Sequence, residues 1–181
     1  MERSSLNGLN AKMKMKNKII IEVEEYNSTD DLASSDGELL AEAVLASETS
    51  YSPYSSFQVG AAVKLANGKI FRGSNQENAA YPSGMCAERV ALFFAQSEYP
   101  DIPAEAIAIF ARSTEFKLEK PITPCGSCRQ VMAETESRSG KKMRIIMGNN
   151  NSHVQIVDGI ESLLPLMFML ENLKKTGKRI K

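Results

Sequence analysis

Apolar positions along this chain recur with two different periods, and the switches between them mark out the elements. Leu39, Leu40, Ala43 and Val44 fall on one helical stripe, and Ser35 followed by Glu38 is a capping-box pair. A helix over 36–49 is therefore predicted, ended by Tyr51-Ser52-Pro53-Tyr54. Residues 57–65 and 69–74 read as strands joined through Asn67-Gly68, a strong hairpin signal. The run 85–97 is helical, with Ser83 its candidate cap. Residues 106–111 and 143–147 are apolar enough for buried strands. Residues 125–134 read as a helix opened by Pro124, whose fixed φ suits a first helical position. At the flanks, residues 18–26 suggest a short strand, 28–36 a polar linker, and 154–157 a last strand. A last helix is predicted over 160–173, kinked or broken near Pro165. Strands alternating with helices imply an α/β domain of three layers, α/β/α.

The chain has 181 residues, 43% hydrophobic and 24% charged, which is ordinary globular composition for one domain. Lys+Arg 22 balances Asp+Glu 22, so the chain lacks the basic footprint of a polynucleotide binder, and no polynucleotide partner is expected. No apolar run approaches a membrane span, and the first twenty residues lack a signal-peptide core. A cytoplasmic location is expected, where thiols stay reduced and clustered cysteines suggest a metal or catalysis. The organisation expected is an amino-terminal extension over 1–34, a catalytic domain over 35–173 and a basic tail over 174–181.

All three cysteines lie in two short segments, Cys86-Ala87-Glu88-Arg89 and Pro124-Cys125-Gly126-Ser127-Cys128-Arg129-Gln130. Cys125 and Cys128 are three apart, on one face of a helix, and Cys86 sits near the start of another. Two helix N-termini would converge, and their partial positive charge favours thiolates. Three thiolates on a tetrahedral zinc ion leave a fourth position open, as in catalytic rather than structural sites. The sole histidine, His153, has no ligand-like neighbour and reads as a loop residue. C-x-x-C alone is shared with redox motifs. Cys-Ala-Glu upstream of Pro-Cys-x-x-Cys is far more specific and matches the pattern of zinc nucleobase deaminases.

The sequence resembles the cytidine deaminase family, in its small, three-cysteine, homotetrameric branch. The resemblance runs from about 51 to 168 and rests on four stretches: Tyr51 to Ala62 (YSPYSSFQVGAA), Asn75 to Tyr81 (NQENAAY), Cys86 to Arg89, and Pro124 to Gln130. Gln76, the long amino-terminal extension and the basic tail depart from the family pattern. The resemblance implies a mixed, roughly five-stranded sheet, one zinc ion per chain, and hydrolysis of cytidine and 2′-deoxycytidine to uridine and 2′-deoxyuridine with release of ammonia, as in pyrimidine salvage.

On that reading, zinc lowers the pKa of its bound water and presents hydroxide near neutral pH. Glu88 then shuttles the water's proton to N3 of the ring and on to the departing amine. Three thiolates overcompensate the ion's charge, and Arg89 or Arg129, hydrogen-bonding to sulfur, would restore its electrophilicity. The resemblance gives Asn75 and Glu77 to the ribose 3′-hydroxyl, Phe57 to stacking on the ring and the Ala87 backbone to the pyrimidine O2. Tyr81 would line the site or a subunit boundary. Phe168 matches a phenylalanine that reaches a neighbouring subunit's pocket. For Phe57 and Phe168 the plainer alternative is a core aromatic.

Two other readings compete. One keeps the chemistry but changes the substrate to a modified or antibiotic aminonucleoside such as blasticidin S, which intact Asn75 and Glu77 disfavour. The other is a non-catalytic, zinc-stabilised binding module, which would want a fourth ligand and have no need of Glu88.

Overall fold

The structure, a computed structural model, describes residues 16–169. Its strands are β1 (Glu24–Tyr26), β2 (Phe57–Leu65), β3 (Ile70–Ser74), β4 (Ala104–Ser113), β5 (Arg144–Asn149) and β6 (Val154–Asp158). Its helices are α1 (Ser34–Ser47), α2 (Ala87–Glu98) and α3 (Gly126–Ser139), with short 3₁₀ turns at Thr29–Asp31, Tyr81–Ser83 and Ile160–Ser162. The strands form one mixed sheet in the order β1-β6-β5-β4-β2-β3, in which only β4 and β5 run parallel. A parallel pair needs a crossover, and α3 supplies it.

Period-two alternation explains the three layers. Along β4, Ile107 and Ile109 point to the face covered by Ala91, Leu92 and Ala95 of α2 and Met132 of α3. Ala108 and Phe110 point to the other face, under Leu39, Leu40 and Ala43 of α1. Strand β5 splits the same way, with Ile145 and Met147 on one side and Ile146 on the other. The β2–β3 hairpin turns at Asn67-Gly68 as its sequence requires: Gly68 adopts φ 80° and its N–H donates to the Leu65 carbonyl at 2.8 Å.

Several boundaries differ from the sequence reading. The amino-terminal strand is confined to Glu24–Tyr26, and by pairing with β6 it makes six strands rather than about five. Helix α1 starts at Ser34; Ala33 is its N-cap and makes no side-chain cap bond, while the Ser34 hydroxyl, not that of Ser35, reaches Glu38 at 2.8 Å. Ser83 caps nothing, because it belongs to the Tyr81–Ser83 turn, and Cys86 is the N-cap of α2. Helix α3 continues past residue 134 to Ser139, ending where Gly140 takes the left-handed conformation. The predicted last helix reduces to Ile160–Ser162. Residues 163–169 are not helical, in keeping with a proline that lacks an N–H and disfavours helical geometry at Leu164. Residues 170–173 of that helix, the tail 174–181 and residues 1–15 of the extension lie outside the described residues.

Candidate active site

Helices α2 and α3 both begin on a cysteine. Cys86 and Cys125 are their N-caps, each in extended backbone conformation, so both thiols stand at helix N-termini. Cys128 follows in the first turn of α3 and is fully buried. The seat of α2 depends on Gly73 of β3: a β-carbon there would lie 2.5 Å from the Ala91 nitrogen and 2.7 Å from the Ala87 carbonyl oxygen. Glycine thus lets the first turn of α2, which carries Cys86 and Glu88, lie directly on the sheet.

The sulfurs of Cys86 and Cys125 are 3.9 Å apart and those of Cys125 and Cys128 3.5 Å apart, with all three within 4.8 Å of one another. A disulfide would need about 2.05 Å. Sulfurs at the corners of a zinc tetrahedron with bonds of about 2.3 Å lie about 3.8 Å apart, so the triad fits zinc. Among the described residues no histidine, carboxylate or further cysteine joins the group, and His153 lies outside it.

Charge around the sulfurs is uneven. Hydrogen bonding from Cys128, then from Arg89 and Cys125, brings Cys86 down to about 5 against the opposing effect of burial. Cys128 moves the other way, because its thiol keeps its proton, donating a hydrogen bond to the Cys86 sulfur, and is buried. Arg89 Nη2 lies 3.7 Å from the Cys86 sulfur, while its buried Nε has no partner. The two arginines that the sequence offered for this role part company here. Arg129 donates to the Pro124 carbonyl (2.7 Å), the Leu163 carbonyl (2.7 Å) and the Thr123 hydroxyl (2.8 Å), so its fork binds three oxygens.

A cavity of about 660 Å³ opens in front of Cys86 and Cys125. Glu88, 5% exposed, lines it, and burial, reinforced by the Cys86 charge, pushes its carboxyl above the usual carboxylate range. Phe57, Val59, Ile109 and Ile122 give apolar wall; Asn75, Glu77, Tyr54 and Tyr81 give polar rim. Fully buried Ala87 lines the same cavity at the N-terminus of α2, where backbone N–H groups have no intrahelical acceptor.

Asn75 is already engaged. Its Oδ1 accepts from the Val59 N–H at 2.8 Å and from the Ser50 hydroxyl, and its Nδ2 donates to the Phe57 carbonyl at 2.9 Å. One amide proton remains. Glu77 accepts from the Tyr54 N–H at 2.9 Å and from the Ser55 hydroxyl, which holds its carboxyl below the usual range. Tyr81 is 80% exposed and packs edge-on against Tyr54 at 6.4 Å. Phe168 lies away from this cavity, 61% exposed beside α3, its carbonyl accepting from Gln130 at 2.8 Å. Sequence reasoning missed Ser50 and Ile122, which lie outside the four matching stretches, and gave no role to Ser55, which lies inside one.

The family model of the cytidine and deoxycytidylate deaminase zinc-binding region matches residues 33–142. The chain belongs to the cytidine and deoxycytidylate deaminase family. The matched stretch runs from the N-cap of α1 to the loop after α3, so both cysteine segments lie within it, while β1, β5 and β6 lie outside. The family region is zinc-binding, and among the described residues the cysteine triad is the group that suits the ion. Cytidine deaminase of Halalkalibacterium halodurans is 43% identical over 136 residues, covering 75% of this chain and 95% of that protein. The cytidine deaminase of Sporosarcina psychrophila is 39% identical, covering 78% and 96%. Among solved structures, the cytidine deaminase of Burkholderia pseudomallei superposes with a TM-score of 0.64 at 37% identity, over 76% of this chain and 100% of that one. The deaminase-family fold accounts for the three layers and the mixed sheet.

Proposed function

We propose that this chain hydrolyses cytidine and 2′-deoxycytidine to uridine and 2′-deoxyuridine, releasing ammonia. The observation that carries the reading is the three-sulfur cluster opening onto the same cavity as the buried carboxyl of Glu88. Its relatives bear the name cytidine deaminase.

Zinc held by Cys86, Cys125 and Cys128 would supply Lewis acidity that lowers the pKa of water. Glu88 takes a proton from the attacking water and delivers it to ring N3 as the oxygen bonds to C4. It then carries the second proton to the exocyclic nitrogen, the C4–N bond breaks, and ammonia leaves. A carboxyl raised by burial suits both halves of this shuttle. Arg89, donating to the Cys86 sulfur, draws charge from the ligand set. Phe57 stacks on the base, and an Ala87 N–H at the head of α2 donates to O2. The free amide proton of Asn75 and the Glu77 carboxylate take the ribose 3′-hydroxyl, with Tyr81 at the mouth.

A nucleoside, rather than a nucleotide, suits the electrostatics. Among the described residues Arg89 is the one basic side chain lining the cavity, and it is turned to sulfur. A phosphate would meet Glu77 with no cation among the described lining residues free to balance it.

We further propose that residues 35–173 form the deaminase domain, with 1–34 and 174–181 as extensions. The enzyme would work in the cytoplasm; no described helix is long and apolar enough to cross a membrane. Exposed Phe93, Phe94, Leu166 and Phe168 would be covered in a homotetramer, a mass of four 19.9 kDa chains in light scattering. The deciding experiment is ammonia release from cytidine by the zinc-loaded protein and by Glu88→Gln. Turnover that the substitution lowers by about 10²- to 10⁴-fold supports the reading. A zinc-loaded wild type without turnover overturns the function, and an unimpaired variant overturns the shuttle.

A further inference from the structure

Two loops clasp each other at the rim of the cavity, and the clasp involves residues to which nothing above gives a role. The first, Tyr54 to Phe57, leads into β2. The second follows β4 and carries Glu115 and Phe116. The Ser56 hydroxyl donates to Glu115 Oε1 at 2.7 Å. Next to it the rings of Phe57 and Phe116 lie nearly parallel, 13° apart, with centroids separated by 6.2 Å. Ser56 adopts φ 53°, in the left-handed region that a serine enters only when its surroundings hold it there. Its neighbours on both sides are committed: Ser55 to Glu77, and Phe57 to Phe116.

The second loop is itself anchored. Leu118 is 7% exposed, and its carbonyl accepts from Nδ2 of Asn149 (2.9 Å) and of Asn151 (2.6 Å). Asn149, at the end of β5, is buried. Pro121 is buried as well. Phe116 is therefore presented from a loop fastened to the sheet, although its own ring is 49% exposed. That ring does not line the cavity, whereas Phe57 does.

We propose that Phe116 is a positioning residue for substrate affinity: by stacking on Phe57 it holds that ring in the orientation in which it meets the base, and the Ser56–Glu115 hydrogen bond keeps the two loops in register. The inference rests on the nucleoside reading above, because it assumes that Phe57 contacts the substrate's ring. It concerns binding alone. The three cysteines and Glu88 lie at the heads of α2 and α3, and neither the Ser56–Glu115 bond nor the Phe57–Phe116 stack includes a residue of those helices, so the chemical step is left as it was.

A stack of this kind is worth about three- to tenfold in an equilibrium. The test is steady-state kinetics on cytidine with the zinc-loaded wild type, Phe116→Ala and Phe116→Tyr, with thermal melting of each. KM should rise about three- to tenfold in Phe116→Ala with kcat within about twofold, and Phe116→Tyr should restore it. Ser56→Ala should raise KM in the same direction by less. An alanine variant that melts like wild type and keeps its KM overturns the proposal, as does a loss confined to kcat. If Phe116→Ala does not fold, Phe116→Tyr and Ser56→Ala decide: wild-type KM in Ser56→Ala, or raised KM in Phe116→Tyr, overturns it. A wild type inactive on cytidine overturns the function reading and this proposal together, whereas an active wild type with an unchanged Phe116→Ala overturns this one alone.

Discussion

Arg144 grips Glu24 with two hydrogen bonds of 2.9 Å, one from each terminal guanidinium nitrogen to each carboxylate oxygen, across 120 residues of chain. The same guanidinium reaches Asp36 on α1 through Nε at 2.9 Å and Asp158 on β6 at 3.1 Å. It thereby fastens β1, which lies outside the family match, to three elements of the body.

Replacing Arg144 by Met leaves Asp36, whose side chain is 9% exposed, without its counter-ion. A loss of about 3 kcal/mol in chemical denaturation is expected. Adding Asp36→Asn should recover part of it, because the stranded charge is gone. Arg144 also holds the Glu24 carboxyl below its usual 4.5. That contribution is present above pH 4.5 and is lost as pH falls through the lower, folded-state value. Glu24 is 43% exposed, so solvent screening limits it to about 0.5–1 kcal/mol, and the acid limb of the stability curve should flatten by that amount in the variant.

Glu136 behaves oppositely with pH. One oxygen, Oε1, accepts from the Met143 N–H at 2.9 Å and the Ile160 N–H at 3.0 Å, tying α3 to the chain on either side of β5 and β6. Burial raises its carboxyl, so the folded state prefers it protonated and stability from this group grows as pH falls toward 4.5. Glutamine keeps the single accepting oxygen without the charge. Glu136→Gln should therefore match or exceed wild type at pH 7, an advantage that shrinks toward pH 4.5. Glu136→Ala, which strands two backbone donors, should lose about 2 kcal/mol at pH 7. Melting curves across pH would check both.

Gly73 is where helix and sheet come closest beneath the site. Valine there must push Ala87 and Ala91 backbone outward, and with them Cys86 and Glu88. A loss of about 2 kcal/mol is expected, with weakened zinc retention on dialysis that a peripheral glycine such as Gly37, which has open space around it, would not produce when changed to Ala.

Removal of zinc by a strong chelator should lower cytidine turnover by more than about a hundredfold and lower the melting temperature, both reversed by added zinc. Cys128→Ala should mimic the chelated state and resist rescue by zinc. Metal content by atomic emission and melting by calorimetry would measure this.

Much of this architecture was legible beforehand because it follows from local pattern. Alternation along β4, the Asn67-Gly68 turn, and cysteines at the heads of two helices needed only periodicity and spacing. The extent and partner of the first strand were not legible: 18–26 reads as a strand, but only the three residues of β1 pair, gaining their stability from β6 and Arg144 rather than from their own propensity. Arg129 shows the same limit within the site: its place beside Cys128 in sequence suggested a bond to sulfur, yet three nearby oxygens claim its donors.

What the amino-acid order determined by itself was thus which cysteines are candidates to hold a metal and which helices carry them, because Cys-x-Glu at one helix head and Cys-x-x-Cys at another are matters of short-range spacing. Tertiary structure alone decided which side chains those sulfurs, the Glu88 carboxyl and the Phe57 ring would meet. Partners such as Asn75 with Val59, Arg144 with Glu24, and Phe57 with Phe116 are joined across the fold, where packing geometry sets distance and sequence separation carries no information about it.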